Sequence, residues 1–444
     1  MIPAAPPVPP EAHIAEGGPG LRAAWPSAVT GGLLAFLATA IAAQIVPISI
    51  DVFGGGLAFS TALKLGWFYE LAFHKVATDG TGAGGATGRI SLAFLSGTGF
   101  AIWALFRAGR AAARRAGPSV GARVLAGAMV GPVYALPIAL VTSFVRLRLH
   151  IGGSFALETV GFRGVVWQAF ALPALLGIGA GGAAGALEAW PRDSRGHAWL
   201  VGGWRGLLGA LGLAAIGVLV LAAARPQGTA SYARGVSSNG PRVAALLLGH
   251  HALLLPNQSF FVLAPSMGGC TELEGSEASI PLLCPGRLPN LGSPDILDDI
   301  ARIDGAARST GGTPEDRPMP AGYWAFVLVP ALATLTAGRY AAESVPGPDG
   351  KREALMRGAG AGVMFALLVG AGTWLASVRL VVHEGGGAGT TTLTLGPRPV
   401  TTAMLALAWG VVGGALGASI RRQEEGTPVP VEPDAPVPPS PTSV

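Results

Sequence analysis

The chain has little charge. Only 12% of its 444 residues are charged, against about 25% in soluble domains, and 50% are hydrophobic. Apolar runs long enough to cross a bilayer recur, which excludes an ordinary soluble domain and predicts a multi-pass α-helical membrane protein. Lysine is nearly absent, and the arginines that make up the net charge of +5 lie mainly at the ends of apolar runs. We therefore expect the lipid bilayer as partner and no nucleic acid.

Familiar catalytic motifs are also missing. The sequence has no P-loop, no HExxH, no CxxC and no protein-kinase motif set. None of the strong apolar segments has a central Asp or Glu, which many proton-coupled carriers use. We expect no cofactor, and an enzyme is the least favoured class of function.

Eight apolar segments predict membrane spans, and two further segments are weaker. The strong ones lie near 27–50, 90–106, 121–145, 164–187, 204–224, 322–341, 355–378 and 400–420. The weaker ones are 57–76 and 242–265, which both contain ionisable side chains. We predict an all-α polytopic bundle of about eight spans, with the two weaker segments as broken, re-entrant or interfacial helices.

The distribution of arginine sets the expected topology. Basic clusters follow the second span and recur at 188–205, 351–357 and 421–423, and short basic loops favour the cytoplasm. The loop 266–320 is acidic and holds both cysteines, so we place it outside. Eight spans satisfy these assignments when both weaker segments return to the outer side. Both termini are then cytoplasmic, in a bacterial plasma (inner) membrane.

Matching segments predict an internal duplication. AGRAAA (108–113) resembles AGRYAA (337–342), and GGAAGA (181–186) resembles GGALGA (413–418). GLL also recurs at 32–34 and 206–208. Four spans per half would give two copies in the same orientation, a parallel repeat. The expected regions are a disordered leader 1–26, a first repeat 27–187, a connector 188–203, a second repeat 204–420 and a disordered Pro-rich tail 421–444.

Ionisable side chains in the two weaker segments form the candidate polar site. His250 and His251 precede LLLPN, which ends at Asn257 and predicts a turn inside the membrane. The two histidines would serve either as a proton relay or metal site, or as partners for the backbone groups that such a turn frees. Glu70 and His74 share one helical face and form either a functional pair or an interfacial anchor. We expect the segments to meet, with Glu70 and His74 opposite the two histidines.

Four arginines at the expected outer surface form a second candidate site. Arg146 and Arg379 end matching spans, and Arg163 and Arg398 end the loops that follow. They would bind an anion or a lipid headgroup, or else extend their side chains to the membrane interface.

The only two cysteines, Cys270 and Cys284, lie in the expected outer loop. A disulfide between them would close a short loop and contribute about 3 kcal/mol in the chain-entropy model. A free pair is the alternative, and a metal site would lack enough ligands.

Two short stretches carry a resemblance. ALKLGWFYELAFHKV (62–76) and LLLPN (253–257) resemble elements of streptophobe-type multi-pass membrane proteins of actinobacteria. The resemblance covers these motifs alone. It implies an integral inner-membrane protein and supplies no catalytic residue.

Two classes of function remain open. The first is a structural or regulatory protein of the bacterial cell envelope, acting with other membrane proteins or a second copy of itself. The alternative is a permease for a lipid or small molecule, because duplicated halves and broken helices are typical of transporters. A continuous polar cavity at mid-membrane, lined by both halves, would favour the permease. Packing sealed by Gly and Ala, with no cavity, would favour the structural role.

Overall fold

The structure is a computed structural model that describes most of the chain. The described residues are 20–50, 58–81, 87–151, 158–224, 241–275, 279–285, 287–288, 317–318, 321–343, 350–383 and 390–420. Residues 1–19 of the predicted leader 1–26, the predicted tail 421–444 and much of the loop 266–320 lie outside them. Residues 20–26 of that leader are helical and not disordered, because α1 begins at Gly20.

Eleven α-helices are described. They are α1 (Gly20–Ile50), α2 (Phe59–Phe73), α3 (Leu95–Arg115), α4 (Val120–Ala128), α5 (Val130–Phe144), α6 (Val166–Ala189), α7 (Arg195–Ala224), α8 (Pro241–Ser266), α9 (Leu328–Ala342), α10 (Lys351–Ala376) and α11 (Pro399–Ser419). A 3-10 helix, Ala321–Val327, leads into α9.

Among the described residues, seven helical segments are long and apolar enough to cross a membrane. They are Gly20–Ser49, Val120–Phe144, Val166–Ala189, Arg195–Val220, Trp324–Ala342, Lys351–Ala376 and Pro399–Ser419. Large apolar side chains on these helices face outward, for example Leu34, Ile41 and Leu219, each about 60% exposed or more. An outward apolar surface of this kind is suited to lipid.

The predicted span 90–106 differs from the structure. Residues up to Ser91 form a strand, and the helix α3 begins only at Leu95. Four arginines, at positions 107, 110, 114 and 115, belong to the same helix. Their charge keeps α3 below the hydropathy of the seven apolar segments, although its length is sufficient.

The described chain is mostly helical, as predicted, but it is not all-α, because ten strands are described as well. They are β1 (Thr78–Thr81), β2 (Thr87–Ser91), β3 (Arg146–Ile151), β4 (Glu158–Gly164), β5 (Thr271–Glu274), β6 (Ser279–Leu283), β7 (Arg287–Leu288), β8 (Arg317–Pro318), β9 (Val378–His383) and β10 (Thr390–Pro397). Eight of them form one open antiparallel sheet in the order β3-β4-β1-β2-β9-β10-β5-β6. The strands join ends of the long helices, so the sheet covers one end of the molecule, which we call the sheet end.

Two hydrophobic cores lie beneath the sheet. The first bundle, α1 to α6, packs around Leu71, Leu105 and Tyr134. The second bundle, α7 to α11, packs around Leu263, Phe365 and Val369. Pairing of β2 with β9 joins the strands of the two bundles into the one sheet.

Glycines allow close contact between helices in both bundles. A Cβ atom on Gly181 of α6 would collide with the backbone oxygen of Gly127 in α4. A Cβ atom on Gly414 of α11 would collide with the backbone oxygen of Gly358 in α10. Helices in lipid associate mainly through such packing, so these contacts hold each bundle together.

The helices α2 and α8 end in the same kind of turn. Lys75 and Gly268 both have positive φ, of 57° and 103°. In each case the next amide donates to a carbonyl five residues earlier, Val76 to Leu71 and Gly269 to Ala264. The chain then continues directly into β1 or β5.

The predicted turn at LLLPN is wrong. The helix α8 continues through Pro256 and Asn257 to Ser266, and the chain reverses only at Met267 and Gly268. A proline inside a helix removes one amide donor, and surrounding groups in a packed bundle can accommodate that loss. The segment is therefore not broken where the sequence predicted.

Gly414→Ala tests the close packing of α10 and α11. We expect a loss of about 1–3 kcal/mol, because the added methyl group must displace backbone. Gly209→Ala is the control, since a Cβ atom there meets nothing within 4 Å, and it should be neutral or slightly stabilising. The measurement is the free energy of unfolding of the purified protein in detergent. Equal stability of the two variants would contradict the contact.

Candidate functional site

A cleft of about 1170 Å³ lies between the sheet and the ends of both bundles. One wall is formed by the central strands β1, β2, β9 and β10. The other is formed by the start of α6, which belongs to the first bundle, and by the end of α10, which belongs to the second. The cleft is therefore lined by both halves of the chain, where β2 pairs with β9.

Charged side chains of both signs line this cleft. Asp79 and Arg89 form an ion pair across β1 and β2, with an Oδ1–Nε distance of 2.6 Å. Glu274 lies at the end of β5. Arg379 is exposed, with Ser91 and Thr394 as its neighbours in the sheet. In the described part of the chain, Arg379 has no ion-pair partner, so it is available to an anion.

Lys75 lies at the floor of the cleft and links the two bundles. It follows α2 directly, yet its Nζ donates to the carbonyl oxygen and the hydroxyl of Ser377, both at 2.8 Å, and to the carbonyl of Trp374. These acceptors lie at the C-terminus of α10, where a cation is stabilised by the helix dipole. Nζ also lies 4.7 Å from the ring centre of Trp374. Burial lowers the pKa of Lys75 to about 7.

A buried polar cluster lies in the first bundle, next to the turn at Lys75 that ends α2. The hydroxyl of Thr39 donates to Glu70 Oε1 at 2.8 Å and lies 3.0 Å from the Tyr134 hydroxyl. The Tyr134 hydroxyl lies 2.9 Å from His74 Nε2, which lies 3.3 Å from Glu70 Oε1. All four side chains are almost completely buried. We call these four residues the polar cluster.

The structure brings together the predicted pair Glu70 and His74 but not the larger predicted site. His250 Nε2 lies 2.7 Å from the hydroxyl of Tyr69, so α2 and α8 do meet. His251 lies near Gln258 of its own helix. The prediction that Glu70 and His74 face the two histidines is wrong, because both contact Tyr134 instead.

Asn257 belongs to α8, and its side chain is bonded to the start of α3. Its side-chain oxygen accepts from the amide of Leu95 at 3.0 Å, and its Nδ2 donates to the carbonyl of Ala93 at 2.7 Å. These bonds satisfy backbone groups at a helix N-terminus that is buried beneath the sheet. Asn257 thus fixes α8 to α3 and does not line the cleft.

The four arginines predicted to form an anion site are dispersed. Arg146 and Arg163 are opposite each other on β3 and β4. Arg398 forms an ion pair with Glu272, with an N–O distance of 3.0 Å. Arg379 alone lines the cleft.

The sulfur atoms of Cys270 and Cys284 are bonded to each other. The bond joins the start of β5 to the residue after β6, so it closes the hairpin at one edge of the sheet. Among the residues that the structure describes, no group of three or more His, Cys, Asp or Glu side chains could hold a metal ion.

A GxSxG sequence at 117–121 has no catalytic geometry. The nucleophile of this motif requires a strand before it and a helix after it. Here the helix α3 precedes it, and the hydroxyl of Ser119 accepts from the amide of Ala122 as the N-cap of α4. The serine therefore ends a helix-to-helix loop.

The sequence predictions omitted Thr39, Tyr134 and Lys75. Lys75 offered a signal, since it is one of three lysines in the chain and follows an aromatic segment. Thr39 and Tyr134 lie in apolar spans, where nothing in the local pattern separates a partner of Glu70 from an ordinary core residue.

Comparisons of the chain with protein-family models, curated proteins and solved structures find no match. The functional argument therefore depends on the geometry of the cleft and of the polar cluster.

Lys75→Met tests the buried lysine. The pKa of Lys75 falls from 10.5 to about 7 on folding, so between these values the unfolded chain binds more protons than the folded one. Stability of the wild type should then rise with pH across this window, by at most about 1.4 kcal/mol per unit, and Lys75 should add no pH dependence below it. The variant should lack that rise.

The measurement is the free energy of unfolding as a function of pH. Lys64→Met is the control, because Lys64 is exposed, and it should keep the pH dependence of the wild type. Equal slopes for the wild type and Lys75→Met would contradict a lysine of lowered pKa.

Proposed function

We propose that the protein is a membrane carrier for a small organic anion and that the cleft is its binding site. The observation that carries this proposal is a cleft lined by both halves that contains Arg379, whose guanidinium has no ion-pair partner among the described residues. A structural or regulatory role in the cell envelope would instead predict a junction closed by small residues. The cleft lies at the sheet end and not at mid-membrane, but both halves line it, and for that reason we prefer the permease to the structural role.

The lining of the cleft suggests the class of solute. A guanidinium binds a carboxylate or phosphate through two parallel hydrogen bonds. Trp167 and Trp374 provide apolar, aromatic surface nearby, and Trp167 is 67% exposed. Binding sites commonly combine an apolar lining with a few charged groups that orient the ligand. A carboxylate or phosphate ester with an apolar part satisfies both features.

We also propose that the chain consists of two parallel repeats. The strands of the first half have the order β3-β4-β1-β2, and those of the second half have the corresponding order β9-β10-β5-β6. The turns at Lys75 and Gly268 have the same hydrogen-bond pattern. Close glycine contacts also recur between α4 and α6 and between α10 and α11. A carrier could use such a pair of halves by rocking one against the other around the cleft.

The single sheet supports eight membrane crossings. Hairpins β1–β2, β3–β4, β5–β6 and β9–β10 belong to one sheet, so each must return to the same side of the membrane. The number of crossings between consecutive hairpins is then even. If the α4–α5 segment crosses the membrane, α3 must cross it too. If α6 and α7 both cross, α8 must enter and leave the membrane on the side of the sheet. We propose that α2 and α8 are re-entrant.

The arginine distribution supports an orientation. Arg107, Arg110, Arg114 and Arg115 lie toward the end of α3 that is remote from the sheet, and basic loops favour the cytoplasm. We therefore propose that the sheet and the cleft face outward from a bacterial plasma membrane and that both ends of the chain face inward.

Single introduced cysteines test this topology. The two native cysteines are bonded, so a new thiol is the only reactive one in the described structure. Thr390→Cys on β10 should react with a membrane-impermeant maleimide in intact bacterial cells. Asp193→Cys, in the loop between α6 and α7, should react only after permeabilisation. Labelling of Asp193→Cys in intact cells would exclude the proposed orientation.

Arg379→Gln tests the cleft as an anion site. A panel of aromatic and aliphatic carboxylates and phosphate esters is screened by the rise in the unfolding midpoint of the protein in nanodiscs. Ligands that stabilise the wild type should bind Arg379→Gln about tenfold to hundredfold more weakly, as expected for a lost charge-assisted bond worth roughly 1.5–3 kcal/mol.

Arg146→Gln is the matched control, because Arg146 is an exposed arginine of the same sheet outside the cleft. It should bind the same ligands as the wild type. The proposal fails if no compound of the panel stabilises the protein, or if the two variants lose affinity equally.

A further inference from the structure

Two buried polar atoms of the polar cluster have no hydrogen-bond partner among the described residues. They are Glu70 Oε2 and His74 Nδ1, while Oε1 and Nε2 of the same side chains face each other and the hydroxyls of Thr39 and Tyr134. A buried polar group without a partner is costly, and a partly satisfied network is less favourable than an apolar core. The cluster therefore lowers the stability of the bundle that contains it.

The second bundle has apolar residues at the equivalent positions. Counted back from the positive-φ residues Lys75 and Gly268, the positions of Glu70 and His74 correspond to Leu263 and Met267. Leu263 and Met267 are buried and belong to the hydrophobic core.

The partners of Glu70 and His74 also have apolar counterparts. Tyr134 comes three residues after Gly131, which packs on α6, and Phe365 comes three residues after Gly362, which packs on α11. Gly32 faces Val133 and Gly203 faces Met364. Seven residues after these two glycines lie Thr39 and Ala210, both completely buried. Leucine, methionine, phenylalanine and alanine thus fill the equivalent space, so the fold itself does not need the polar residues.

We propose that the polar cluster is a proton-binding site and that its proton is the coupling ion of the carrier. The pair takes up one proton, which neutralises the carboxylate of Glu70 beside His74, and it releases the same proton in the return step. No other reactant is needed. Hydrogen-bond distances of 2.8 to 3.3 Å join the groups directly.

Few other charges act on this pair. Among the described residues, Tyr134 of α5 is the one titratable group from a neighbouring element within hydrogen-bonding distance, and α1 contributes the neutral Thr39. From α3, the hydroxyl of Thr98 is bonded to the carbonyl of Phe73. Lys75 is adjacent in sequence, but its amino group is directed to Ser377 in the second bundle.

The turn at His74 and Lys75 connects the cluster to the cleft. His74 points into the first bundle, and Lys75 binds the end of α10 at the floor of the cleft. A change of charge or of hydrogen bonding at His74 therefore acts one residue away from Lys75, a side chain that joins the two halves. This coupling rests on the proposed function, whereas the proton-binding site does not.

Infrared difference spectroscopy tests the site. Spectra of the full chain in nanodiscs are recorded at acid and alkaline pH for the wild type and for Glu70→Gln. The wild type should show a carboxylic-acid C=O band of a buried group at acid pH, and Glu70→Gln should lose it. A wild type in which Glu70 contributes no such band at any pH overturns the proposal, whatever the cleft binds.

A fourfold variant separates function from folding. Thr39→Ala, Glu70→Leu, His74→Met and Tyr134→Phe together give the first bundle the residues of the second. The variant should unfold at a temperature equal to or above that of the wild type and should lack the carboxylic-acid band. A lower unfolding temperature would show that the cluster is structural and would overturn the argument.

Cysteine labelling tests the coupling to the cleft. Thr394 lies in the cleft, and Thr391 lies on the same strand outside the cleft lining. The maleimide labelling rate of the Thr394→Cys variant, divided by the rate of the Thr391→Cys variant, should change severalfold across the pH range in which the Glu70 band appears. Adding Glu70→Gln to both variants should hold the ratio at its acid value. A ratio independent of both pH and Glu70 overturns the coupling, even if solute binding at Arg379 is found.

Discussion

Backbone pairing between β2 and β9 is the constraint on which the arrangement of the molecule depends. Each helix bundle carries four strands at one end, and this pairing makes them one sheet of eight. It fixes the relative position of the bundles at the sheet end and leaves a cleft below the central strands. It also requires the four hairpins of the sheet to lie on the same side of a membrane, which restricts the paths that the chain can take through it.

Lys75 connects the chemistry of the cleft to that of the first bundle. Its backbone adopts the positive φ that ends α2, and its side chain satisfies the last carbonyls of α10. At the end of α8 the positive φ belongs to a glycine, Gly268, which has no side chain with which to reach another helix. Lysine has a conformational cost at this position that glycine avoids. The link to α10 offsets that cost, and it places an ionisable group between the two bundles.

The sequence predicted the long helices well and the strands not at all. Helical spans of Leu, Ala and Gly are long and uniform, so their hydropathy is a strong signal. The strands are short and contain Thr, Gly and Arg, as in TDGT and TGRIS, and their pairing depends on contacts distant in sequence. RLRLHI of β3 and TLTL within β10 alternate in a way that indicates a strand.

Local signals misled in two further places. Pro256 predicted a break, but a packed bundle tolerates proline within α8. The GLL match aligned Gly32 with Gly206, whereas the contacts with Val133 and Met364 align it with Gly203, one helical turn away. Glu70 and His74 were recognisable as a pair from their spacing. Their burial beside Tyr134 was not, because it depends on how deeply α2 enters the first bundle.

The open sheet has two edge strands, and both are protected. An unpaired edge offers free amide and carbonyl groups to a strand of another molecule, and charged residues or proline hinder such pairing. The edge strand β3 carries the exposed Arg146 and Arg148, and β6 contains Pro281, which has no amide hydrogen. Copies of the protein crowded in one membrane are therefore kept from polymerising edge to edge, and the sheet ends at eight strands.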